Sequence, residues 1–465
     1  MTTGSSKSTA TVTSPVTTET FGYRQELKRS LTRYDLLVYG LVFIVPGAPI
    51  SIFGIVFNAS SGMVPLVFLV GLIAMLFTAA SYVAMSRVFP IAGSVYAYAG
   101  RAIGEGVGFL AGWVMLLDYL LLPTLVYVLC AVAMHTVVPE VPRVAWIIGF
   151  VVINTVINVM GIETTARMNL YVLVIQLIGL TAFMAVAGFA LANGTAGAHF
   201  SLTPLFNPAV ISPSLIFGAL SLAVLSFLGF DAISTLSEEA EGGSRAIGHA
   251  TYLSLAVTAS IFVVLTYTAS LFVLDRTSFP RGDATDAAFY GIAMTIGGSW
   301  LKWTLAVPGV IFSGLPGALA AQVATTRLIF SMARDRKLPR ALAHVSTKRQ
   351  VPERAALLVS GVSLVLGVTL AEHLELLTSL VNFGALVGFL LLHTSVVVYF
   401  ARRTGEPNWW RHLLIAGVGF VIIGYVLVNL RATALVAGLS WTCAGVLVLG
   451  YRNWFGRRSK STGAR

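Results

Sequence analysis

Apolar residues gather along this chain into twelve runs of roughly twenty residues, the length a helix needs to cross a bilayer. The runs start near Leu36, Met63, Val107, Val144, Met168, Ser214, Tyr252, Leu301, Ala355, Leu376, His412 and Ala432. Two of them are interrupted near their middle, by Pro46-Gly47-Ala48-Pro49 in the first and by Leu228-Gly229-Phe230-Asp231 in the sixth. Proline removes a backbone donor and glycine relaxes the helix, so each break leaves N–H and C=O groups unpaired at membrane depth. Lipid cannot satisfy such groups. They persist where they line a cavity or bind something, and breaks at corresponding places in two halves are the mark of an inverted-repeat secondary transporter. The pattern predicts an all-α integral membrane protein.

Composition narrows the class. Mean hydropathy is +0.85, 57% of residues are hydrophobic and 11% are charged, about half the charge of a soluble domain. In such a chain the net charge of +11 sets orientation and does not point to nucleic acid. With the N-terminus inside, 25 Lys and Arg fall on the cytoplasmic side and five outside, namely Arg143, Arg276, Arg281, Lys302 and Arg431. Both termini are therefore expected in the cytoplasm, with the chain multi-pass in the cytoplasmic (inner) membrane and in contact with its lipid. The first twenty residues are rich in Ser and Thr with no apolar core, which predicts a disordered tail and not a cleavable signal. Cys130 and Cys443 both lie in apolar stretches and build neither a disulfide framework nor a metal site.

Few charges lie inside the spans, so each is informative. Asp118 in the third and Asp231 in the sixth have no Lys or Arg at comparable depth to neutralise them. An acidic group at such depth is costly and points to function. The partner is then a cationic substrate, a proton, or local backbone donors. Asp231 either caps the restarting half-helix or meets a substrate ammonium, and the two roles are compatible. Asp118, some thirteen residues into a helix starting near Glu105, is either a structural hydrogen-bonding group or a substrate or proton site. Both are proton-coupling candidates. Gly104, Gly108 and Gly112 would let this helix approach a neighbour closely. His393 and Gln176 read as interhelical contacts, and Glu238, Glu239 and Glu241 as solvated charge or part of a cytoplasmic gate. The run Arg334 to Arg340 reads as a topology anchor, with lipid binding as the alternative.

Three stretches carry a family resemblance: Phe227 to Ala240, Pro90 to Tyr98, and Arg327 to Pro339. Together with the span count they make the chain resemble the amino acid-polyamine-organocation (APC) superfamily of permeases. Leu116-Leu-Asp-Tyr-Leu-Leu-Leu-Pro123 and the first-helix Ile-Phe-Gly element resemble its putrescine-importer-like branch. The resemblance implies a leucine-transporter-type core of 5+5 inverted repeats plus two C-terminal helices. Its expected divisions are a tail at 1–33, a core at 34–400 with repeats at 34–192 and 213–400, accessory helices at 401–451 and a tail at 452–465. It further implies a substrate site bordered by Gly47, Ala48, Pro49, Ile50, Ser51, Asp118, Phe227, Gly229, Phe230 and Asp231, with an aromatic placed to cover an ammonium.

One departure bears on substrate. Amino-acid members usually carry Gly-Ser/Ala-Gly at the first break, where free amides hold a carboxylate. Here two prolines remove two donors, although Ala48, Ile50, Ser51 and Ile52 still carry N–H groups. This leans toward an amine or polyamine over a plain α-amino acid. No phosphate-binding Gly-rich loop ending in Gly-Lys-Ser/Thr occurs, and no cofactor is implied. Drive by proton or membrane potential is favoured. An enzyme would need a nucleophile–base or metal constellation such as His-Glu-x-x-His, which is absent. A channel or a non-transporting sensor is the alternative from another class. The assembly is a monomer or homodimer.

Overall fold

The computed structural model describes residues 31–89, 94–160, 166–236, 240–346, 351–402 and 409–462. The N-terminal tail before residue 31, Pro90 to Gly93 of the second family stretch, and Glu238 and Glu239 lie outside them. Sixteen α-helices follow one another: α1 (Arg33–Ile44), α2 (Ala48–Ser60), α3 (Val64–Val88), α4 (Ser94–Ala102), α5 (Glu105–Val137), α6 (Arg143–Met160), α7 (Ala166–Ala192), α8 (Pro213–Ala223), α9 (Gly243–Ser270), α10 (Asp283–Asp286), α11 (Ala288–Pro308), α12 (Leu315–Arg334), α13 (Glu353–Thr369), α14 (Leu374–Ala401), α15 (Trp409–Val428) and α16 (Ala432–Thr462).

Among the described residues nine helical stretches are long and apolar enough to cross a membrane, and the α1–α2 pair, bent by 43°, makes a tenth. Two predicted spans fall short of that length. The sixth stops at Phe227 as an apolar helix from Pro213 because it unwinds at Leu228 and Gly229. The ninth, α13, has 17 residues.

Local chemistry sets the ends. Thr32 caps α1: the Asp35 amide donates to its hydroxyl at 3.2 Å, and the Thr32 amide donates to Asp35 Oδ2 at 3.0 Å. This reciprocal pair satisfies two of the donors a helix start leaves open. The Leu31 carbonyl then accepts from the Glu241 amide at 3.0 Å, so the start of α1 is held to the end of the sixth segment.

The long helix α5 runs through the centre, packed on α14, α12, α4, α6, α13 and α16, while α3 and α1 pack on α9. Close approach depends on two of the three expected glycines, while Gly104, the residue before α5, has nothing within 4 Å of its methyl position. A methyl at Gly108 would lie 2.6 Å from the Gly100 Cα, and one at Gly112 would lie 2.9 Å from the Tyr96 ring. Trp113 and Trp441 stack at 4.9 Å, each donating its indole N–H to the other's carbonyl at 2.9 Å, which docks α16 on α5. His393 is an interhelical contact, its Nδ1 lying 2.9 Å from the Ser81 hydroxyl. The basic run after α12 is tied down as well: Lys337 donates to Glu105 Oε2 at 2.9 Å and Asp335 accepts from the Tyr96 hydroxyl at 2.6 Å.

Candidate substrate site

Both predicted breaks are present. At the first, Val45 turns to φ 60° and α1 ends. Pro46 has no amide, and no backbone hydrogen bond from a described residue reaches the carbonyls of Val42, Phe43 and Ile44. These carbonyls form the negative end of the α1 dipole. The break is shorter than the sequence suggests, because α2 restarts at Ala48 and Pro49 to Ser51 belong to its first turn.

Amides are scarce there. Ala48 N–H donates to the Val45 carbonyl at 2.8 Å and Ile50 N–H to the Gly47 carbonyl at 3.0 Å. With the two prolines, four of the six positions from 46 to 51 therefore offer no free amide.

At the second break α8 tightens into a 3-10 turn (Val224–Phe227), Leu228 is extended, Gly229 sits at φ 112°, and a second 3-10 stretch covers Phe230–Leu236. Asn382 of α14 donates to the carbonyls of Ser221 at 2.8 Å and Leu222 at 3.2 Å. Glycine is required at 229 twice over: the φ value belongs to the left-handed region, and a methyl would lie 2.9 Å from the Phe43 carbonyl oxygen. The two breaks thus touch each other.

Asp231 is buried, accepting from the Gly229 amide at 3.2 Å and from the Tyr119 hydroxyl at 3.0 Å. Its carboxylate caps the break by reaching back to an amide two residues earlier. Asp118 adjoins Tyr119, and its buried Oδ1 has no hydrogen-bond partner. Gly384 lets α14 approach it: a methyl there would lie 2.6 Å from the Asp118 nitrogen. Among the described residues the buried charged side chains are Asp118, Asp231 and Arg143, and the arginine belongs to another cluster at the start of α6.

A cavity of about 140 Å³ opens beside the breaks. Gly47, Ala48, Ile50 and Ser51 line it, as do Leu225, Ser226 and Leu228. Leu122, one turn beyond Asp118, lines it from α5. Pro49, Asp118, Phe227, Gly229, Phe230 and Asp231, expected to border the site, do not line it. Phe227 packs on Phe68 and Phe262 at 5.9 and 5.4 Å, and Phe230 on Tyr82 and Phe389 at 5.8 and 5.9 Å.

Three lining features were not singled out in the sequence. Cys130 lies against Gly314, Tyr290 faces the cavity, and a π-helical turn (Gly309–Gly314) joins α11 to α12. Such turns recur at functional sites. The breakers Pro308, Gly309, Gly314 and Pro316 were its available signal. Gln176 is an interhelical contact, donating to the Phe312 carbonyl in that turn at 2.9 Å, but its Oε1 is buried without a partner. The Ser226 hydroxyl is unpartnered too. The junction is rich in carbonyl and carboxylate acceptors and poor in free backbone amides.

Comparison with known proteins agrees with this picture. The family model for amino acid permeases matches residues 36–449. The low-affinity putrescine importer PlaP of Escherichia coli (strain K12) is 31% identical over 92% of this chain and 94% of its own length. The branched-chain amino acid permease BcaP of Bacillus subtilis is 24% identical over 91% and 93%. Cationic amino acid transporter 4 of Mus musculus is 27% identical over 82% of this chain and 61% of its own length. The chain is a multi-pass membrane permease of amino acids or amines, not an enzyme, and it belongs to the amino acid permease family of the APC superfamily.

Proposed function

We propose that this permease is a secondary active transporter that imports a small organic cation, an amine or polyamine, across the cytoplasmic membrane by alternating access. One observation carries the reading: the two breaks and their surroundings offer acceptors with no buried cation beside them among the described residues. They are the carbonyls of Val42, Phe43 and Ile44, the unpartnered Asp118 Oδ1 and the Asp231 carboxylate. An ammonium supplies the missing charge and donors, whereas a substrate carboxylate would find few free amides. The relation to a protein named as a putrescine importer supports the same choice.

In this account ten of twelve spans form a 5+5 inverted-repeat core, residues 34–192 and 213–400, and the other two are accessory helices at 401–451, with cytoplasmic tails at 1–33 and 452–465. The broken segments and their bundle rock against α5, α6, α11–α12 and α13. The substrate rests at the wall formed by Gly47, Ala48, Ile50 and Ser51, with Asp231 and Asp118 behind it and Phe227, Gly229, Phe230 and Pro49 shaping the breaks. Asp118 or Asp231 carries a proton where transport is proton-coupled. Membrane potential alone contributes about 2.3 kcal/mol per unit charge for each 100 mV, roughly fifty-fold accumulation. The working unit is a monomer or homodimer.

An amino acid substrate is the second reading, supported by relatives named for branched-chain and cationic amino acids. Counterflow in proteoliposomes decides between them. Preloaded unlabelled putrescine is expected to accelerate uptake of labelled putrescine saturably, while leucine and arginine do so weakly or not at all. Acceleration by the amino acids alone would establish the second reading. Flux without trans-stimulation would mark a channel, and no flux with any of them a sensor.

A further inference from the structure

Arg143 opens α6 with a side chain only 8% exposed, and all of its acidic partners lie on other elements. Its guanidinium is paired closely with Asp283, reaches Glu372 Oε2 at 3.4 Å and Asp286 Oδ2 at 3.6 Å. Asp283 and Asp286 are the first and last residues of the one-turn helix α10, and Glu372 immediately precedes the segment entering α14.

The other side of α10 is seated on α2. Asn58 of α2 donates to the Phe279 carbonyl at 3.0 Å and to the Thr285 hydroxyl at 3.2 Å, and accepts from the Phe279 amide at 2.6 Å. Gly54, one turn earlier, leaves the room: a methyl there would lie 2.8 Å from the Ala288 Cβ. Ser51, on the first turn of this same helix, lines the cavity. The segment around α10 is therefore a strap from the helix that walls the cavity to the start of α6.

This strap is built to release. Asp283 and Glu372 remain 77% and 71% exposed, so parting them from Arg143 costs the carboxylates little hydration. The buried guanidinium and Asp286, only 15% exposed, bear the loss. A one-turn helix with little buried surface of its own also moves at low cost.

We propose that Arg143 is a positioning residue that latches α10 and, through Asn58, the far end of α2, so that α2 can swing away from the cavity wall only when the Arg143 cluster opens. The inference rests on the transport reading for its purpose, but its geometry is tested separately. Cys443→Ser leaves Cys130, which is buried on the cavity wall, as the reporter thiol. In detergent micelles both faces of the protein are accessible, so membrane orientation does not enter.

The rate at which a hydrophilic methanethiosulfonate modifies Cys130 is followed by mass spectrometry, with counterflow of putrescine, arginine and leucine measured on the same variants. Arg143→Gln is expected to raise that rate at least about tenfold, and Arg143→Lys by less, as loss of a charge-assisted contact shifts a two-state equilibrium. The double variant Asp283→Asn/Glu372→Gln changes only exposed carboxylates and leaves Asp286 on Arg143, so it is expected to raise the rate more than twofold but less than Arg143→Gln, and it decides the matter if the arginine variant does not fold. Rates within twofold of the parent in folded, monodisperse protein would overturn the latch. Faster modification in protein that transports none of the three substrates would leave the latch standing and remove the transport reading.

Discussion

Gly229 is the residue on which the junction of the two breaks turns. Its φ of 112° and its approach to Phe43 exclude a side chain. Gly229→Ala is expected to cost about 1–3 kcal/mol of stability from backbone strain and to lower putrescine counterflow at least about tenfold; thermal unfolding and flux on the same preparation check both. Unchanged flux would detach the second break from transport. At this scale the sequence was partly legible. Asp118 and Asp231 announced themselves as charges in apolar runs, and both are buried near the breaks. Phe227 did not declare its direction: in a tight turn helical periodicity no longer assigns faces, and its ring packs on Phe68 and Phe262 instead of facing the cavity. The sequence does not mark Asn382 as a partner of the sixth segment, and it shows Arg143 only as an outside charge, because their partners lie 161 and 140 positions away in the chain.

Elements follow the breakers. Pro46 and Gly47 located the first break, but only the hydrogen bonds reveal that the Ala48 and Ile50 amides are already spent on Val45 and Gly47. The π-turn at Gly309–Gly314 carried its own Pro and Gly signal inside a run that otherwise reads as one long span. Helix α10, four residues long, has no periodicity to detect. Its charges make a testable statement about pH. Burial raises the Asp286 carboxyl above its ordinary value, and Asp283, Glu372 and Glu375 push the same way against the Arg143 guanidinium. The folded protein then holds this proton more tightly than the unfolded chain does. The stability it contributes is fully present below the ordinary value of about 3.9 and is lost as pH rises through the raised folded value. Asp286→Asn has no proton to lose, so the fall in thermal midpoint with rising pH across that window should be shallower than in the parent. An identical slope would show that another group governs it.

For the molecule as a whole, class was the most legible property because membrane depth dictates composition: a chain 57% hydrophobic and 11% charged can do little else. Span count was less so. Nine long apolar stretches and a bent pair stand out among the described residues, while the segments at Pro213–Phe227 and Glu353–Thr369 are shortened, the first by the very break that gives it a role. Substrate identity lies in the balance of donors and acceptors around the cavity, which depends on how distant segments meet. The most direct measurement is calorimetric titration of putrescine into the purified protein and its Asp231→Asn variant, with unfolding temperature as the control for fold. Saturable binding that weakens at least about thirty-fold in the variant, the loss of one charged hydrogen-bonded contact, is the predicted result. Equal affinity in the two proteins would contradict a cation held at the broken helices.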